Sequence, residues 1–345
     1  MVRKILIITL VISSLVLMAS AGEVSFNNWS YDVTVMDNGT VDGVMRISLV
    51  NSGDTPVDGF YFVVPATSVR IIYDFEHTVS FRGLTAQTEK TQDGVTVRVN
   101  FNDSLEPENT WSGRIGFQAE GWAVKGEQDY YIEIPVEIPK VLTPTGEVTA
   151  ELPGEDITSR IYLPSNFEVV LATPKPHNIL FRYSHRFPDS RMIVTYFPPT
   201  GSRFGGNLKP GDKIKIKAVF NENLEKIVKV NDRLTQVYNK IQEYKKQGKD
   251  TSKAEELLEK ANKYNNQDAL GNFWKKNYPG VDQYTKLAMQ ELEKAENAIE
   301  EDKTETMTPT AEKPTKKETP ATGLLTTIAL LGLVAVALRQ IKSRD

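Results

Sequence analysis

Chemistry in a chain of 345 residues starts from its nucleophiles, acids, bases and metal ligands, and here cysteine is missing and histidine scarce. There is no cysteine, which removes disulfides, thiolate zinc sites, iron–sulfur clusters and thiol nucleophiles together. The histidines are His77, His177 and His185. His177 and His185 lie in one stretch that reads as strand and turn, but Arg182 and Arg186 beside them oppose a shared cation, so structural histidines are expected. The acidic pairs Asp129 with Glu133 and Glu151 with Glu155 would serve glycoside chemistry only if folding set them across a cleft, and solvated charge is the usual outcome. Asp37-Asn38-Gly39 and Asp93-Gly94 are loop acids of a kind that more often make turns than calcium sites. Neither a Gly-rich phosphate loop nor H-E-x-x-H nor G-x-S-x-G occurs. We therefore assign no catalytic residue, no metal ligand and no cofactor, and expect a non-enzyme. A formal charge of −4 gives no electrostatic reason to bind nucleic acid.

Recognition chemistry remains. Trp29, Trp111 and Trp122 would form a glycan-binding platform if they share an exposed sheet face, and a closed scaffold core if they are buried. Asn28-Trp29-Ser30, Asn38-Gly39-Thr40 and Asn102-Asp103-Ser104 are N-glycosylation sequons, so Asn28, Asn38 and Asn102 are candidate glycan acceptors in a secreted chain.

The two ends set the compartment. Arg3 and Lys4, an apolar run over 5–18 and Ala19-Ser20-Ala21 are the three parts of a secretory signal peptide, with cleavage expected between Ala21 and Gly22. Residues 321–338 carry no charge and are followed by Arg339, Lys342 and Arg344. As a helix that run spans about 27 Å against a hydrocarbon core of about 30 Å, and the basic tail 339–345 places its end in the cytoplasm. Between them, 301–320 is rich in Thr, Pro, Lys and Glu with almost nothing to bury, and reads as a disordered stalk. The expectation is a cell-surface protein, extracellular from residue 22 and held by one carboxy-terminal transmembrane helix.

Pro320-Ala321-Thr322-Gly323, the apolar run and the basic tail together resemble the tripartite sorting signals read by sortases and archaeosortases. Thr319 stands where the sortase pattern has leucine, and no Pro-Gly-Phe precedes the helix. The resemblance implies cleavage between Thr322 and Gly323 and transfer of Thr322 to a surface component; a plain single-pass anchor is the other reading. Gly248-Lys249-Asp250-Thr251-Ser252-Lys253-Ala254-Glu255 with Leu257-Leu258 is similar to helical hairpins of archaeal surface proteins.

The elements that must position these residues come in two kinds. Up to about residue 221 the chain alternates at period two, as in Tyr31-Asp32-Val33-Thr34-Val35 and Lys213-Ile214-Lys215-Ile216-Lys217, with turn residues between the runs. Tyr61-Phe62-Val63-Val64-Pro65 is echoed by Arg160-Ile161-Tyr162-Leu163-Pro164, and Leu105-Glu106-Pro107 before a strand ending at Phe117 by Leu208-Lys209-Pro210 before one ending at Phe220. Spacings of 99 and 103 residues predict tandem domains of about 100 residues. Beyond Asn221 the period changes: Ile227, Val230, Leu234, Val237, Ile241 and Tyr244 form a helical seam, and two further seams come after Gly248 and Pro279-Gly280. Phe273, Trp274 and Tyr278 are expected to plug one end of that bundle.

The reading is a mainly β chain with a helical part: signal peptide 1–21, antiparallel immunoglobulin-like β-sandwiches at 22–125 and 126–221, a helical hairpin or three-helix segment 222–300, stalk 301–320, anchor 321–338 and tail 339–345. Its expected role is structural or adhesive, with the membrane and an envelope or surface-layer protein as partners. An extracellular glycan- or solute-binding module is the alternative, and an anchored hydrolase stands third.

Overall fold

A computed structural model of the chain describes residues 24–77, 83–152, 157–184, 187–197 and 208–305. By contacts the chain divides into two units, Met1–Lys303 and Thr304–Asp345, and every described strand belongs to the first. That unit is mainly β with helices at its carboxy-terminal side.

Period-two alternation builds the first set of strands: β1 (Val24–Val35), β2 (Val41–Asn51), β3 (Val57–Val64), β4 (Ser68–Glu76), β5 (Leu84–Lys90), β6 (Val95–Leu105) and β7 (Thr110–Glu120). β2 shows the rule most simply, with every second residue from Val41 to Asn51 buried. Two sheets result, with the local orders β1-β2-β7-β4 and β3-β6-β5. A second set comes next: β8 (Val124–Lys125), β9 (Asp129–Pro135), β10 (Lys140–Thr143), β11 (Gly146–Thr149), β12 (Ile157–Leu163), β13 (Phe167–Thr173), β14 (Asn178–Ser184), β15 (Phe187–Tyr196) and β16 (Lys213–Phe220). Setting the β10–β11 hairpin aside, its local orders are β8-β9-β16-β13 and β12-β15-β14.

The second set reproduces the first strand for strand. β3 and β12, which carry the Tyr61 and Arg160 phrases, occupy the same place, as do β7 and β16, which come after the two Leu-x-Pro phrases. Even the irregularities recur: β4 and β13 are both edge strands with one extra residue, Ile72 and Val170, where the register slips against β7 and β16.

Two expectations need correction. The connectivity is not that of an immunoglobulin sandwich, where the first, second, fifth and fourth strands form one sheet and the third, sixth and seventh the other. Here the fifth and seventh strands have exchanged sheets, so β2 meets β7 and β3 meets β6 in a nested, jelly-roll-like order. The repeats are also not two closed sandwiches on a string. β1 pairs in parallel with β12, from Trp29 opposite Ile157 to Thr34 opposite Tyr162, so one seven-stranded sheet, β14-β15-β12-β1-β2-β7-β4, runs through both. A single buried cluster extends from Val24 to Val281. The physical reason is edge satisfaction: β1 needs a partner on its free side, and β12 supplies one. In the first repeat the equivalent edge, on β3, is covered by β10. Across the shared seam, the Asp32 carboxylate on β1 pairs with Arg46 on β2 and lies 3.8 Å from Arg160 on β12, while the buried Ser159 hydroxyl donates to the Tyr31 carbonyl at 2.7 Å.

Asn221 caps the first helix, accepting from the Asn223 N–H at 2.9 Å. The helices are α1 (Glu222–Lys246), α2 (Ser252–Lys263), a π-helical turn (Tyr264–Ala269), α3 (Leu270–Trp274) and α4 (Tyr278–Glu305). Ile227, Val230, Leu234, Val237 and Ile241 are all buried, as the seam required. Leu234, Leu258, Leu292, Ala295 and Ile299 form a core of their own, whereas Leu224, Ile227, Phe273 and Val281 belong to the β core. Phe273 is fully buried there, but Trp274 is 42% exposed, so only part of the expected aromatic plug packs inward. α4 runs on to Glu305, past the expected start of the stalk at residue 301. No helix of the described residues is long and apolar enough to cross a membrane; residues 321–338 lie outside them.

Candidate functional site

The tryptophans do not form a platform. Trp29, Trp111 and Trp122 are 1%, 0% and 4% exposed, which corrects their assignment as surface ligand contacts. On β7 the cause is simple alternation: Trp111, Ile115, Phe117 and Ala119 all face inward. On β1 a bulge between Phe26 and Asn28 shifts the register so that Phe26 and Trp29, three residues apart, are both buried. Trp122 stacks on Phe117 at 6.3 Å, and its indole N–H donates to the Glu133 carbonyl at 2.9 Å. Trp111 lies 5.0 Å from Phe101 and 5.4 Å from Phe60 between ring centroids.

A cavity of about 180 Å3 opens beside Trp29, between β1 and β2 of one sheet and β3 of the other. The segment Pro135–Lys140, which carries the chain from β9 to β10, closes it. Trp29, Tyr31, Met45, Phe62 and Val63 give it an apolar, largely aromatic wall. The Trp29 indole N–H donates to the Glu137 carbonyl at 3.2 Å and pins that segment in place. Tyr31 is 2% exposed, ringed by Trp29 and Trp122 at 5.7 Å, and its buried hydroxyl has no hydrogen-bond partner among the described residues. Burial raises the Tyr31 pKa well above the usual phenol value, so the group stays a neutral donor and acceptor.

Next to this cavity, and sharing Val63, Pro135 and Glu137 with it, is a wider cleft of about 370 Å3 with Asp93, Glu133 and Lys213 in its wall. Glu133 is neutralised there: Lys213 lies at 3.2 Å and Lys215 at 3.6 Å, and chiefly Lys213 holds its carboxyl below the usual carboxylate range. Asp93 and Glu137 form no ion pair among the described residues, but Lys213 and Lys215 on Glu133 and Lys140 at the adjoining cavity balance the three carboxylates. At the mouth the Lys140 ammonium donates to the Thr149 hydroxyl at 3.1 Å.

The other chemical candidates disperse. Asp129 and Glu133 share one strand and pair with lysines of β16, Asp129 with Lys217 at 2.9 Å, so they do not face each other across a cleft. Glu151 is exposed, and Glu155 lies outside the described residues. His177 accepts from the Phe197 N–H at 3.1 Å, His77 packs on Phe75 at 4.7 Å, and His185 lies outside the described residues. Among the described residues no three His, Asp or Glu side chains are grouped to hold a metal. Asn28, Asn38 and Asn102 are exposed, and Asn38 accepts from the Thr40 hydroxyl of its own sequon at 2.7 Å. Ala21, Gly22, Pro320, Thr322 and Gly323 lie outside the described residues.

Sequence reasoning passed over Tyr31 and Glu137. Tyr31 had a legible signal, since a tyrosine on the inward side of a strand must find a partner for its hydroxyl. Glu137 had none, because its place at the cavity depends on the β9-to-β10 crossing.

No family model matches the chain, and no curated protein matches it. Among solved structures it is similar to an M1 zinc metallopeptidase from Deinococcus radiodurans, at 12% identity and a TM-score of 0.33 over 57% of this chain and 42% of that one. A mutant of the same enzyme bound to a Tyr-Ser-Ala substrate gives the same figures. A two-domain M1 zinc metallopeptidase mutant bound to L-tryptophan is 11% identical, at a TM-score of 0.32 over 57% of this chain and 43% of that one. The chain spans less than half the length of these proteins, and a likeness at this level carries no argument about activity.

Proposed function

We propose that the chain is a non-enzymatic cell-surface protein, anchored in the membrane by residues 321–338, that displays its β repeats and helical bundle outside the cell for a structural or adhesive role. An envelope or surface-layer protein is the partner this role calls for. The observation that carries the reading is the closed packing of Trp29, Trp111 and Trp122 inside a sheet shared by both repeats, which suits a stiff scaffold better than an aromatic binding face. The leader, stalk and anchor patterns support the placement. A second reading, as a solute-binding module, is favoured by the cavity beside Trp29. The first reading is tested by labelling intact cells with a membrane-impermeant amine reagent and washing the membranes with alkaline carbonate. Labelling without lysis, on a chain that stays in the membrane pellet, supports it. Labelling only after lysis, or release by carbonate, overturns it.

A further inference from the structure

We infer that the outer face of the β4–β7 strand pair binds an acidic glycan: the ring of a uronic acid unit lies on Tyr73 and Phe75, with its carboxylate on Arg114. The inference gives the adhesive reading a ligand class and rests on that reading for its setting alone. β4 ends the seven-stranded sheet, and past the bulge at Ile72 it sets Tyr73 opposite Gly116 and Phe75 opposite Arg114. Paired residues share a face, and the inward face of β7 belongs to Trp111, Ile115, Phe117 and Ala119, so these four lie outward. Tyr73 and Phe75 stay 39% and 48% exposed. The Arg114 guanidinium carbon lies 5.6 Å from the centre of the Tyr73 ring and 5.0 Å from that of Phe75. Gly116 makes the room, since a Cβ there would fall 2.4 Å from the Tyr73 ring.

The second repeat is an internal control. Aligned on the two bulges, Leu171 and Thr173 of β13 stand where Tyr73 and Phe75 do, and Lys217 and Lys215 of β16 where Gly116 and Arg114 do. There β9 neutralises both lysines, Asp129 with Lys217 at 2.9 Å and Glu133 with Lys215 at 3.6 Å. In the first repeat the residue across from Arg114 on β2 is Arg46, itself paired with Asp32. Arg114 forms no ion pair among the described residues. On the same face Asp42 accepts from the Gln118 amide at 3.0 Å and Glu120 from the Ser68 hydroxyl at 3.1 Å, while Asp74, opposite Ile115, belongs to the other face. The first repeat thus carries an uncompensated guanidinium between two exposed rings, where the second carries a neutralised lysine beside a leucine and a threonine.

A cation held between exposed rings calls for an anion with apolar surface beside it. The guanidinium fork matches a planar carboxylate. The face is shallow, so its ligand stays partly hydrated, which suits a sugar better than a wholly apolar ring. A uronic acid holds its carboxylate and an apolar ring face on one rigid unit, so both contacts form at small entropic cost. An acidic peptide must order a flexible side chain for the first contact and find the second elsewhere.

The test is calorimetric titration of the full-length chain in detergent with tetragalacturonate, alongside maltotetraose as a neutral chain of sugars and tetraglutamate as an acid without sugar rings. We expect saturable tetragalacturonate binding that weakens as NaCl rises from about 50 to about 500 mM. Maltotetraose and tetraglutamate should each bind about tenfold more weakly or worse. Arg114→Gln should weaken tetragalacturonate about tenfold. Phe75→Thr, which copies the residue type of Thr173, should weaken it about fivefold. Both changes lie on the outer face of the sheet, and circular dichroism confirms their folding. Absence of saturable tetragalacturonate binding, binding that neither substitution alters, or equal or tighter binding of maltotetraose or tetraglutamate would each overturn the inference. The cell-labelling test reads surface display alone, so either result can fail without the other.

Discussion

Replacing Ile161 by alanine tests whether the two β repeats are one folding unit. Ile161 sits on β12, fully buried, opposite Val33 on β1 at the parallel seam and opposite Val194 on β15. The substitution removes three carbons, worth about 2.4 kcal/mol at ~0.8 kcal/mol each. The cavity left in a seam held by neighbours on both sides adds about 1 to 2 kcal/mol. The expected loss is about 3 to 4 kcal/mol, and with a urea dependence of about 2 to 3 kcal/mol/M the midpoint falls by about 1 to 2 M. The assay is urea unfolding followed by tryptophan fluorescence in a Trp274→Phe background, where the remaining reporters, Trp29, Trp111 and Trp122, all precede β9. A substitution in the second repeat must then move a signal from the first. A fluorescence midpoint that stays put while the circular dichroism of the rest shifts would refute the shared-sheet argument.

Other outcomes are expected from the same structure. Tyr31→Phe removes an unpartnered buried hydroxyl and should raise stability by about 1 kcal/mol, read as a higher urea midpoint. Phe273→Ala empties a fully buried site where α3 meets the β core and should cost about 3 to 5 kcal/mol, lowering the thermal midpoint of the helical signal. Acid should loosen the bundle. Lys294, together with Lys260, holds the Glu291 carboxyl below its ordinary 4.5, and Lys245, with Thr251, does the same for Glu255. Both folded values are depressed, so the stabilisation is complete above pH 4.5 and fades as pH falls through the lowered values. The thermal midpoint at 222 nm, measured from pH 7 to pH 3, should hold and then fall; a flat profile would remove these pairs from the account.

What could be read in the sequence was local. The α1 seam was legible because its spacing of three and four is a property of neighbouring residues. The inward face of β7 was legible for the same reason, and Trp111 belongs to it: the alternation through Ile115 and Phe117 already argued against an exposed platform. Trp29 was not legible, because a bulge at Phe26 and Asn28 breaks the count that alternation relies on. The phrases at Tyr61 and Arg160 mark equivalent strands, yet nothing local says that β12 turns its free edge to β1. Asp32 shows why. On alternation alone it is an outward-facing acid, and its burial comes from Arg46 fourteen residues away and Arg160, which arrives only when the second repeat docks. The candidate site was hidden for that reason as well. Tyr31, Val63 and Glu137 come from three separate stretches that meet only where β9 crosses to β10.

The most direct test of the surface-display account is the intact mass of the protein recovered from the membrane fraction of cells that make it. The account predicts a chain that begins at Gly22 and retains its carboxy-terminal anchor through Asp345, with any added mass removed by deglycosylation at Asn28, Asn38 or Asn102. A chain that keeps Met1 and is recovered in the soluble cytoplasmic fraction would contradict it.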